Sequence, residues 1–229
     1  MAFKQKKIIA LEKAAKPLLV YDNGRSHYEF DGCHLDRITK VLSEMDDNEG
    51  LMAWRERVGE EVADMICKNA MARGSAVHKM VEAHLNNECM CQQKNGILAN
   101  GLFQKMIPAL ERISNIAAVE VPVVSETYGI AGTADCIAEF DGELCIIDFK
   151  TSTQYKKPSW CRRYYLQECF YAVAVEEMTK IRIKTLVTII VSEDGSVQVI
   201  KQDRKTWEDE LDHLISGYMQ KTRGLAQSG

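Results

Sequence analysis

The sequence lacks a long apolar run, an internal repeat and a low-complexity segment. No stretch of roughly 18 apolar residues occurs in the chain, which argues against a membrane-spanning helix or a membrane partner. The N-terminal segment MAFKQKKIIALEKAAKPLL is basic but has neither an adequate apolar core nor a small-residue cleavage site, so we expect no secretory signal. The 229 residues, of which 46% are hydrophobic and 27% charged, suit one sizeable globular domain, or one with a smaller helical lobe.

Eight cysteines are present, but their positions argue against a disulfide framework or a metal cluster. Four of them lie within apolar patterns: Cys67, Cys136, Cys145 and Cys169. Free cysteine behaves there as a small hydrophobic residue. The one close pair is Cys89 and Cys91, and no second pair stands at a zinc-like spacing. We therefore expect reduced thiols and a cytoplasmic protein, and the absence of a transit peptide favours a bacterial or phage-infected cell.

The net charge of −4 argues against general nucleic-acid affinity, but the charge is unevenly distributed. Residues 149–167 hold five lysines or arginines and no acid. Basic and aromatic residues are mixed there: Tyr155, Lys156, Lys157, Trp160, Arg162, Arg163, Tyr164 and Tyr165. This mixture fits a single-stranded nucleic acid, whose bases stack on rings while cations hold its backbone. A solvated basic loop, or a helix N-terminus with a packed aromatic residue, is the alternative.

Hydrophobic periodicity predicts an α+β fold with a central mixed β-sheet flanked by helices and an N-terminal helical lobe. Residues 17–33 predict a small hairpin, and a helical pattern follows from His34, with Gly59 as a weak point and Gly74 opening another helix. From Val119 onward the pattern predicts three strands, a helix, two strands and a last helix.

We divide the chain into two parts of one integrated domain. Residues 1–116 would form the N-terminal hairpin and the helical lobe, and residues 117–229 would form the core that carries the sheet.

Two aspartates and a lysine interrupt the apolar segment GTADCIAEFDGELCIIDFKTS, residues 132–152. The Asp-Gly pair at 141–142 is a strong signal for a two-residue hairpin turn. Counting back along both strands from this turn, Asp135 stands directly opposite Asp148. Lys150 lies two residues further on and shares the face of Asp148. One face of one hairpin therefore carries two carboxylates and an ammonium.

Two carboxylates this close repel each other unless a cation lies between them. Lys150 alone would give a buried ion cluster, which rarely repays its desolvation. A divalent cation fits better, because Mg²⁺ prefers oxygen ligands such as Asp135, Asp148 and the carbonyl of Phe149. The lysine could then help to activate water and offset the charge that develops on a phosphate. These residues suit metal-assisted phosphodiester hydrolysis.

Four further residues are weaker candidates for the same site. His78 lies beside an apolar helical stripe and could add a nitrogen ligand that suits Mn²⁺, or could simply pack or face solvent. Glu120 opens the strand before the hairpin, as a third acidic ligand or as a rim charge. Gln167 and Tyr171 share a helix face and could contact the lysine, a carboxylate or DNA, or could be ordinary polar positions.

Taken together, the motifs resemble the RecB-type branch of the PD-(D/E)XK nucleases. The resemblance rests on RGSAVHKMVE, Glu120, GTADC, IIDFKTS and QECFY, which occur in the order of that branch. The segments YEFDGCHLDRITKVLS and AWRERVGEEVA are similar to the helical entry region of the mitochondrial genome maintenance exonucleases and their phage relatives. The likeness covers roughly residues 25–190.

The resemblance implies a restriction-endonuclease-like core and a role for each motif. Asp135 and Asp148 would bind Mg²⁺ or Mn²⁺, with His78 as an added ligand. Lys150 would activate water, and Glu120 is the least secure of the carried-over residues. Gln167 and Tyr171, from the last motif, would support the site and contact DNA.

Features of some relatives are missing or altered. Some of them hold an iron–sulfur cluster with one upstream cysteine and three near the C-terminus, but no cysteine follows Cys169 here, so we expect no cluster. Ser75 stands where relatives often have threonine. No helicase-type phosphate-binding motif occurs, so the nuclease would act alone or be recruited by replication or recombination proteins.

The sequence thus predicts a metal-dependent DNA exonuclease that acts on free, single-stranded ends in replication, recombination or DNA turnover. One alternative is a 5′–3′ recombination exonuclease that degrades one strand from a duplex end, which the modest charge does not favour. The other is a catalytically inactive nuclease fold that binds DNA or a protein. The presence of Asp135, Asp148 and Lys150 makes this last alternative less attractive.

Overall fold

The computed structural model describes residues 2–22, 24–89 and 96–227. The strands are β1 (Leu18–Asp22), β2 (Arg25–Phe30), β3 (Cys33–Arg37), β4 (Ile113–Ser125), β5 (Ile130–Phe140), β6 (Glu143–Ser152), β7 (Thr185–Ser192) and β8 (Val197–Asp203). The α-helices are α1 (Ile9–Lys13), α2 (Ile38–Glu44), α3 (Glu49–Val58), α4 (Glu60–Leu85), α5 (Ile97–Leu110), α6 (Arg162–Thr179) and α7 (Lys205–Gln227). A 3₁₀ turn, Pro158–Trp160, precedes α6.

The eight strands form one mixed sheet in the order β1-β2-β3-β5-β6-β7-β8, and β4 lies on the other edge of β5. The β3–β5 and β6–β7 pairs are parallel, whereas the remaining pairs are antiparallel. The parallel β6–β7 pair is connected through α6, as a parallel pair requires a crossover. The predicted order of three strands, a helix, two strands and a helix is confirmed.

Helices cover both faces of this sheet. One core lies beneath α2, α6 and α7 and includes Ile38, Phe170 and Ile215. The other lies beneath α4 and α5 and includes Met80 and Phe103. The predicted fold class, a central mixed sheet flanked by helices, is therefore confirmed.

The N-terminal third differs from the prediction in two places. The helical pattern expected from His34 is wrong at its start, because Cys33–Arg37 form β3, a third strand that joins β5 through Asp36 and Arg37. Gly74 does not open a helix but lies inside α4, whereas the predicted weak point at Gly59 is the break between α3 and α4. A helical glycine is tolerated where a neighbour packs closely.

The predicted division at residues 116 and 117 falls within β4, which begins at Ile113.

The cysteines mostly follow the prediction of reduced thiols. Six are free, and four of these are fully buried: Cys136, Cys145, Cys161 and Cys169. Cys89 is disulfide-bonded, so the prediction is wrong at that residue. In the ranges that the structure describes, no helix has both the length and the apolar character needed to cross a membrane.

Candidate active site

The site lies beside β5, in the gap between the residues that pair with β3 and those that pair with β6. β3 pairs with β5 at residues 130–131, and β6 pairs with it at residues 136–140. The stretch 132–135 lies between these ladders, and it lines a cleft of about 540 Å³ through Gly132, Thr133 and Asp135. On this edge of β5 the backbone of residues 132–135 therefore has no neighbouring strand in the described pairing.

The register predicted for the β5–β6 hairpin is confirmed along the paired part of the strands. Cys136 lies opposite Ile147, one position before the two aspartates. Beyond this pair a side chain replaces the ladder, because the Phe149 amide donates to Asp135 Oδ2 at 2.9 Å. Asp135 and Asp148 are both buried, with 8% and 0% of their surface exposed, so this seam contains two carboxyl groups shielded from water.

Asp135 meets a histidine and a glutamate from two other elements. His78 Nδ1, on α4, lies 3.5 Å from Asp135 Oδ2 and 4.0 Å from Glu120 Oε1, on β4. Their three ligand atoms lie within 4.8 Å of one another. The imidazole ring also makes an edge contact with the ring of Phe149. The structure thus brings together two candidates that were uncertain in the sequence, His78 and Glu120.

Glu120 adopts a backbone conformation that is rare for a residue with a side chain. Its φ is +48°, although it lies inside strand β4. Its neighbours Val119 and Val121 both pair with β5. A left-handed residue of this kind costs about 1–3 kcal/mol and tends to occur at functional sites. The kink coincides with the position whose carboxylate lies beside His78.

Asp148 belongs to a second set of contacts on the α6 side of the sheet. Its Oδ2 forms an ion pair with Lys150, and its Oδ1 accepts a hydrogen bond from Gln167 Nε2 at 3.2 Å. The same Gln167 nitrogen lies 2.8 Å from the hydroxyl of Tyr171, to which it donates. The pair Gln167 and Tyr171 therefore supports the carboxylate that precedes the lysine.

Charge at the site is dominated by the acids. Burial alone would lower the pKa of His78, but Asp135 and a hydrogen bond to Glu120 outweigh it and raise the pKa to about 9. Burial, opposed by Lys150 and reinforced by Asp135, raises the pKa of Asp148 to about 6. Burial would likewise lower the pKa of Lys150, but the charge of Asp148 outweighs it and raises the pKa. Each shift favours the more positive protonation state, as expected where negative charge is in excess.

The residues of the site fit a divalent cation. The ligand atoms of His78, Glu120 and Asp135 converge, and the excess negative charge attracts a cation. Two carboxylates with one imidazole suit Mg²⁺ or Mn²⁺, and the imidazole favours Mn²⁺. Asp148 lies outside this group of three, since its oxygens face Lys150 and Gln167. Its role as a ligand, and that of the Phe149 carbonyl, stay predictions.

Gly132 allows Tyr171 to reach the floor of the cleft. A Cβ added at Gly132 would lie 2.7 Å from Tyr171 Cε1 and 3.0 Å from Ile38 Cγ2. Both neighbours are buried side chains that line the cleft, so an added methyl group would have to displace them. The first glycine of the GTADC motif is therefore explained by packing rather than by a backbone angle.

Gly132→Ala is expected to destabilise the protein by about 1–3 kcal/mol and to lower activity, because it displaces the ring of Tyr171. Gly101→Ala is the matched control, since a Cβ there meets no atom within 4 Å and alanine favours the helix. Thermal unfolding of both variants measures the difference. Equal melting temperatures would contradict the packing argument.

The predicted basic and aromatic residues lie beside the cleft. The ring of Tyr164 lies 5.2 Å from Lys150 Nζ and 5.7 Å from Lys156 Nζ, and Lys157 Nζ lies 5.3 Å from the ring of Trp160. A second pocket of about 400 Å³ adjoins the first through Gln167. Its lining includes four of the predicted residues: Lys156, Trp160, Arg163 and Tyr164.

Two of the predicted DNA contacts, Arg162 and Arg163, are paired with acids. Arg162 forms an ion pair with Glu210, and Arg163 Nη1 lies 3.3 Å from Asp46 Oδ2. Tyr155 is exposed. A phosphate that approaches either arginine competes with the carboxylate already beside it.

One buried carboxyl group was not anticipated from the sequence. Glu168 is fully buried on α6 and accepts a hydrogen bond from Thr188, the residue that pairs with Asp148 on β7. Burial, together with the charge of Asp148, raises the pKa of Glu168 well above its ordinary value. The signal in the sequence was an acid within the apolar run LQECFY, one residue after Gln167. The cleft lining also includes Arg37, from the strand that sequence analysis had taken as helix.

Three features distinguish this cleft: the gap in the pairing along β5, the Asp-x-Lys segment of β6, and the polar pair Gln167 and Tyr171 on α6. The chain belongs to the PD-(D/E)XK nuclease superfamily, whose family model matches residues 47–227. Its relatives include mitochondrial genome maintenance exonuclease 1 of Homo sapiens and of Mus musculus, each 31% identical over 111 and 110 residues respectively. Each match covers 46% of this chain and 32% of the relative, so the aligned region spans about a third of either relative's length.

A solved structure that matches part of this chain is that of a protein from Eubacterium rectale named "putative exonuclease". It has a TM-score of 0.49 and 16% sequence identity, and the match covers 66% of this chain and 65% of that one.

Proposed function

We propose that this chain is a divalent-metal-dependent DNA exonuclease that hydrolyses phosphodiester bonds from free, single-stranded ends. The observation that carries the proposal is the convergence in one cleft of the His78, Glu120 and Asp135 ligand atoms with Lys150, which forms an ion pair with the buried Asp148. The exonuclease activity named in the mitochondrial relatives supports the same reading. The term genome maintenance in those names agrees with a role in replication, recombination or DNA turnover.

In the proposed reaction the acidic residues would bind the divalent cation. A bound divalent cation would polarise a phosphate oxygen and lower the pKa of water. Its ligands would be His78, Glu120 and Asp135, with Asp148 close by. Because Asp135 Oδ2 also accepts the Phe149 amide hydrogen bond, the carboxylate is held in one orientation before any ligand arrives.

Lys150 supplies the positive charge beside the scissile phosphate. Its side chain is 18% exposed, so its ammonium reaches the cleft while Asp148 anchors it from within. An ammonium fixed in a site of low water content stabilises the charge that builds on the phosphate in the transition state. With its raised pKa, Lys150 is an electrostatic stabiliser and a hydrogen-bond donor that orients the attacking water.

Exposed aromatic rings on the segment that precedes α6 favour a single strand over a duplex. Trp160 is 55% exposed and Tyr155 is 52% exposed, although both are large and partly apolar. Bases in a duplex stack on each other, whereas an unpaired base offers its face to a protein ring. Lys157 lies over the ring of Trp160 and Lys156 over the ring of Tyr164, and both lysines suit the phosphates of the same strand.

Trp160→Ala is expected to weaken single-stranded DNA binding by about 1–3 kcal/mol, the cost of losing one stacked base. Trp160→Phe keeps a ring and should recover most of the affinity. Fluorescence anisotropy with labelled oligonucleotides measures both variants, and a blunt duplex serves as the reference ligand. Equal losses for alanine and phenylalanine would show that stacking is not the cause.

The proposal is tested with end-labelled DNA in Mg²⁺ and in Mn²⁺. Linear single strands should be shortened progressively from one end, and closed single-stranded circles should stay intact. Cleavage of circles would replace the exonuclease with an endonuclease. Preferential digestion of duplex ends would favour the recombination exonuclease, and DNA binding without cleavage in either metal would favour a catalytically inactive binding module.

A further inference from the structure

The hairpin β2–β3 carries a second group of ligand-type side chains, away from the cleft. His27 and Glu29 are two residues apart on β2 and therefore share a face of the sheet. His34 on β3 stands directly opposite Glu29. The antiparallel register thus places two imidazoles and a carboxylate on one face, and none of the three lines the catalytic cleft.

The three side chains converge on one point. Glu29 Oε1 lies 3.8 Å from His27 Nε2 and 3.9 Å from His34 Nε2. All three ligand atoms lie within 4.8 Å of one another. Two ligands that share a tetrahedral zinc ion at about 2.0–2.1 Å are roughly 3.3 Å apart. Closing the group around an ion therefore requires the two imidazoles to rotate out of their stacked arrangement until both Nε2 lone pairs point to one position.

One of these atoms has no partner of its own. His27 Nε2 is buried and forms no hydrogen bond with any residue that the structure describes. A buried nitrogen without a hydrogen bond is costly and calls for an explanation. The two imidazole rings stack at a centroid distance of 4.5 Å with an angle of 15° between their planes, and their Nε2 atoms lie 3.8 Å and 3.9 Å from the same carboxylate oxygen.

We propose that His27, Glu29 and His34 bind a late first-row divalent cation, of which Zn²⁺ is the natural probe. Two neutral imidazoles and one carboxylate form a donor set typical of zinc, with water in the fourth position. Mg²⁺ prefers oxygen ligands, so this group discriminates against the ion that suits the catalytic cleft. The protein therefore has two cation sites of different chemical preference.

A cation on this face would brace one wall of the cleft. The hairpin continues into the parallel pairing of Arg37 with β5, and Arg37 Nη1 bonds Ser26 Oγ at 2.6 Å across the same hairpin. Arg37 lines the catalytic cleft. An ion that joins β2 to β3 thus stabilises the strand that carries this arginine.

The test measures bound zinc in the full chain. Metal-free protein is dialysed against Zn²⁺ in excess Mg²⁺ and analysed by elemental mass spectrometry. We expect His34→Ala and Glu29→Gln each to hold one Zn²⁺ fewer per chain than the wild type. His213→Ala is the matched control, because His213 is an exposed histidine on α7, and it should hold as many ions as the wild type.

An Asp135→Asn background separates this site from the catalytic one. In that background Zn²⁺ should still raise the melting temperature, and adding His34→Ala should remove the rise. The side chain of His34 is 73% exposed, so its loss is expected to leave the fold intact, which circular dichroism verifies. Equal zinc content in the wild type and His34→Ala, or a melting rise that survives both substitutions, would overturn the proposal.

Discussion

Replacing Lys150 with alanine is expected to slow DNA cleavage by on the order of 10³-fold while single-stranded DNA binding is retained. The ammonium lies beside Asp148 and reaches the cleft, so its loss removes a positive charge at the point where phosphate charge develops. Binding is preserved because the exposed rings and the lysines at 156 and 157 remain. Single-turnover digestion of an end-labelled strand measures the rate, and anisotropy measures the affinity.

The alanine variant also leaves the buried Asp148 without its partner, which by itself costs about 3–5 kcal/mol of stability. Lys150→Arg separates the two effects, since it keeps the charge but changes the position of the donors. We expect this variant to melt near the wild-type temperature and still to lose most of its activity. Lys205→Ala, at an exposed lysine on α7, is the neutral control. A folded Lys150→Ala variant with wild-type rates would refute the assigned role.

Asp135→Asn should lower the cleavage rate by roughly 10³-fold and weaken Mn²⁺ binding. Asparagine is nearly isosteric, and its side-chain oxygen can still accept the Phe149 amide hydrogen bond, so the fold is expected to persist. What is lost is the negative charge that faces His78 and Glu120. Calorimetric titration with Mn²⁺ follows the binding, and digestion assays across Mn²⁺ concentrations follow the rate.

The matched control is Asp209→Asn, which removes one exposed carboxylate on α7 and should leave both quantities unchanged. Partial recovery of the Asp135→Asn rate at high Mn²⁺ would indicate that the substitution acts mainly through metal affinity. Wild-type rates in Asp135→Asn at every concentration would remove Asp135 from the site altogether.

Local signals are sufficient to predict which side chains lie close together within the β5–β6 hairpin and on α6. The Asp-Gly turn fixes the β5–β6 register, and from that register the neighbouring positions of Asp135 and Asp148 follow by counting. The pair Gln167 and Tyr171 was predictable for the same reason, since residues four apart share a helix face. Each of these relations lies within one element or one hairpin.

Relations between distant elements were not accessible in this way. The contact of His78 with Asp135 depends on how α4 crosses the sheet, and periodicity does not encode that crossing. The left-handed backbone at Glu120 contradicts ordinary strand propensity, so the sequence pattern gives no sign of it. β3 was taken for helix because the short segment HLDR carries too few residues to show a period of two.

The single hydrogen bond between the Phe149 amide and Asp135 Oδ2 has a spectroscopic consequence. One backbone proton on the lysine-bearing strand is tied to a carboxylate of the neighbouring strand, and that same oxygen faces His78. A cation that coordinates Asp135 Oδ2 withdraws electron density from this oxygen and so changes the chemical shift of the Phe149 amide proton. The chemical shift of the Phe149 backbone amide therefore reports the binding of a ligand at Asp135. It can be measured in the absence of DNA and of catalysis.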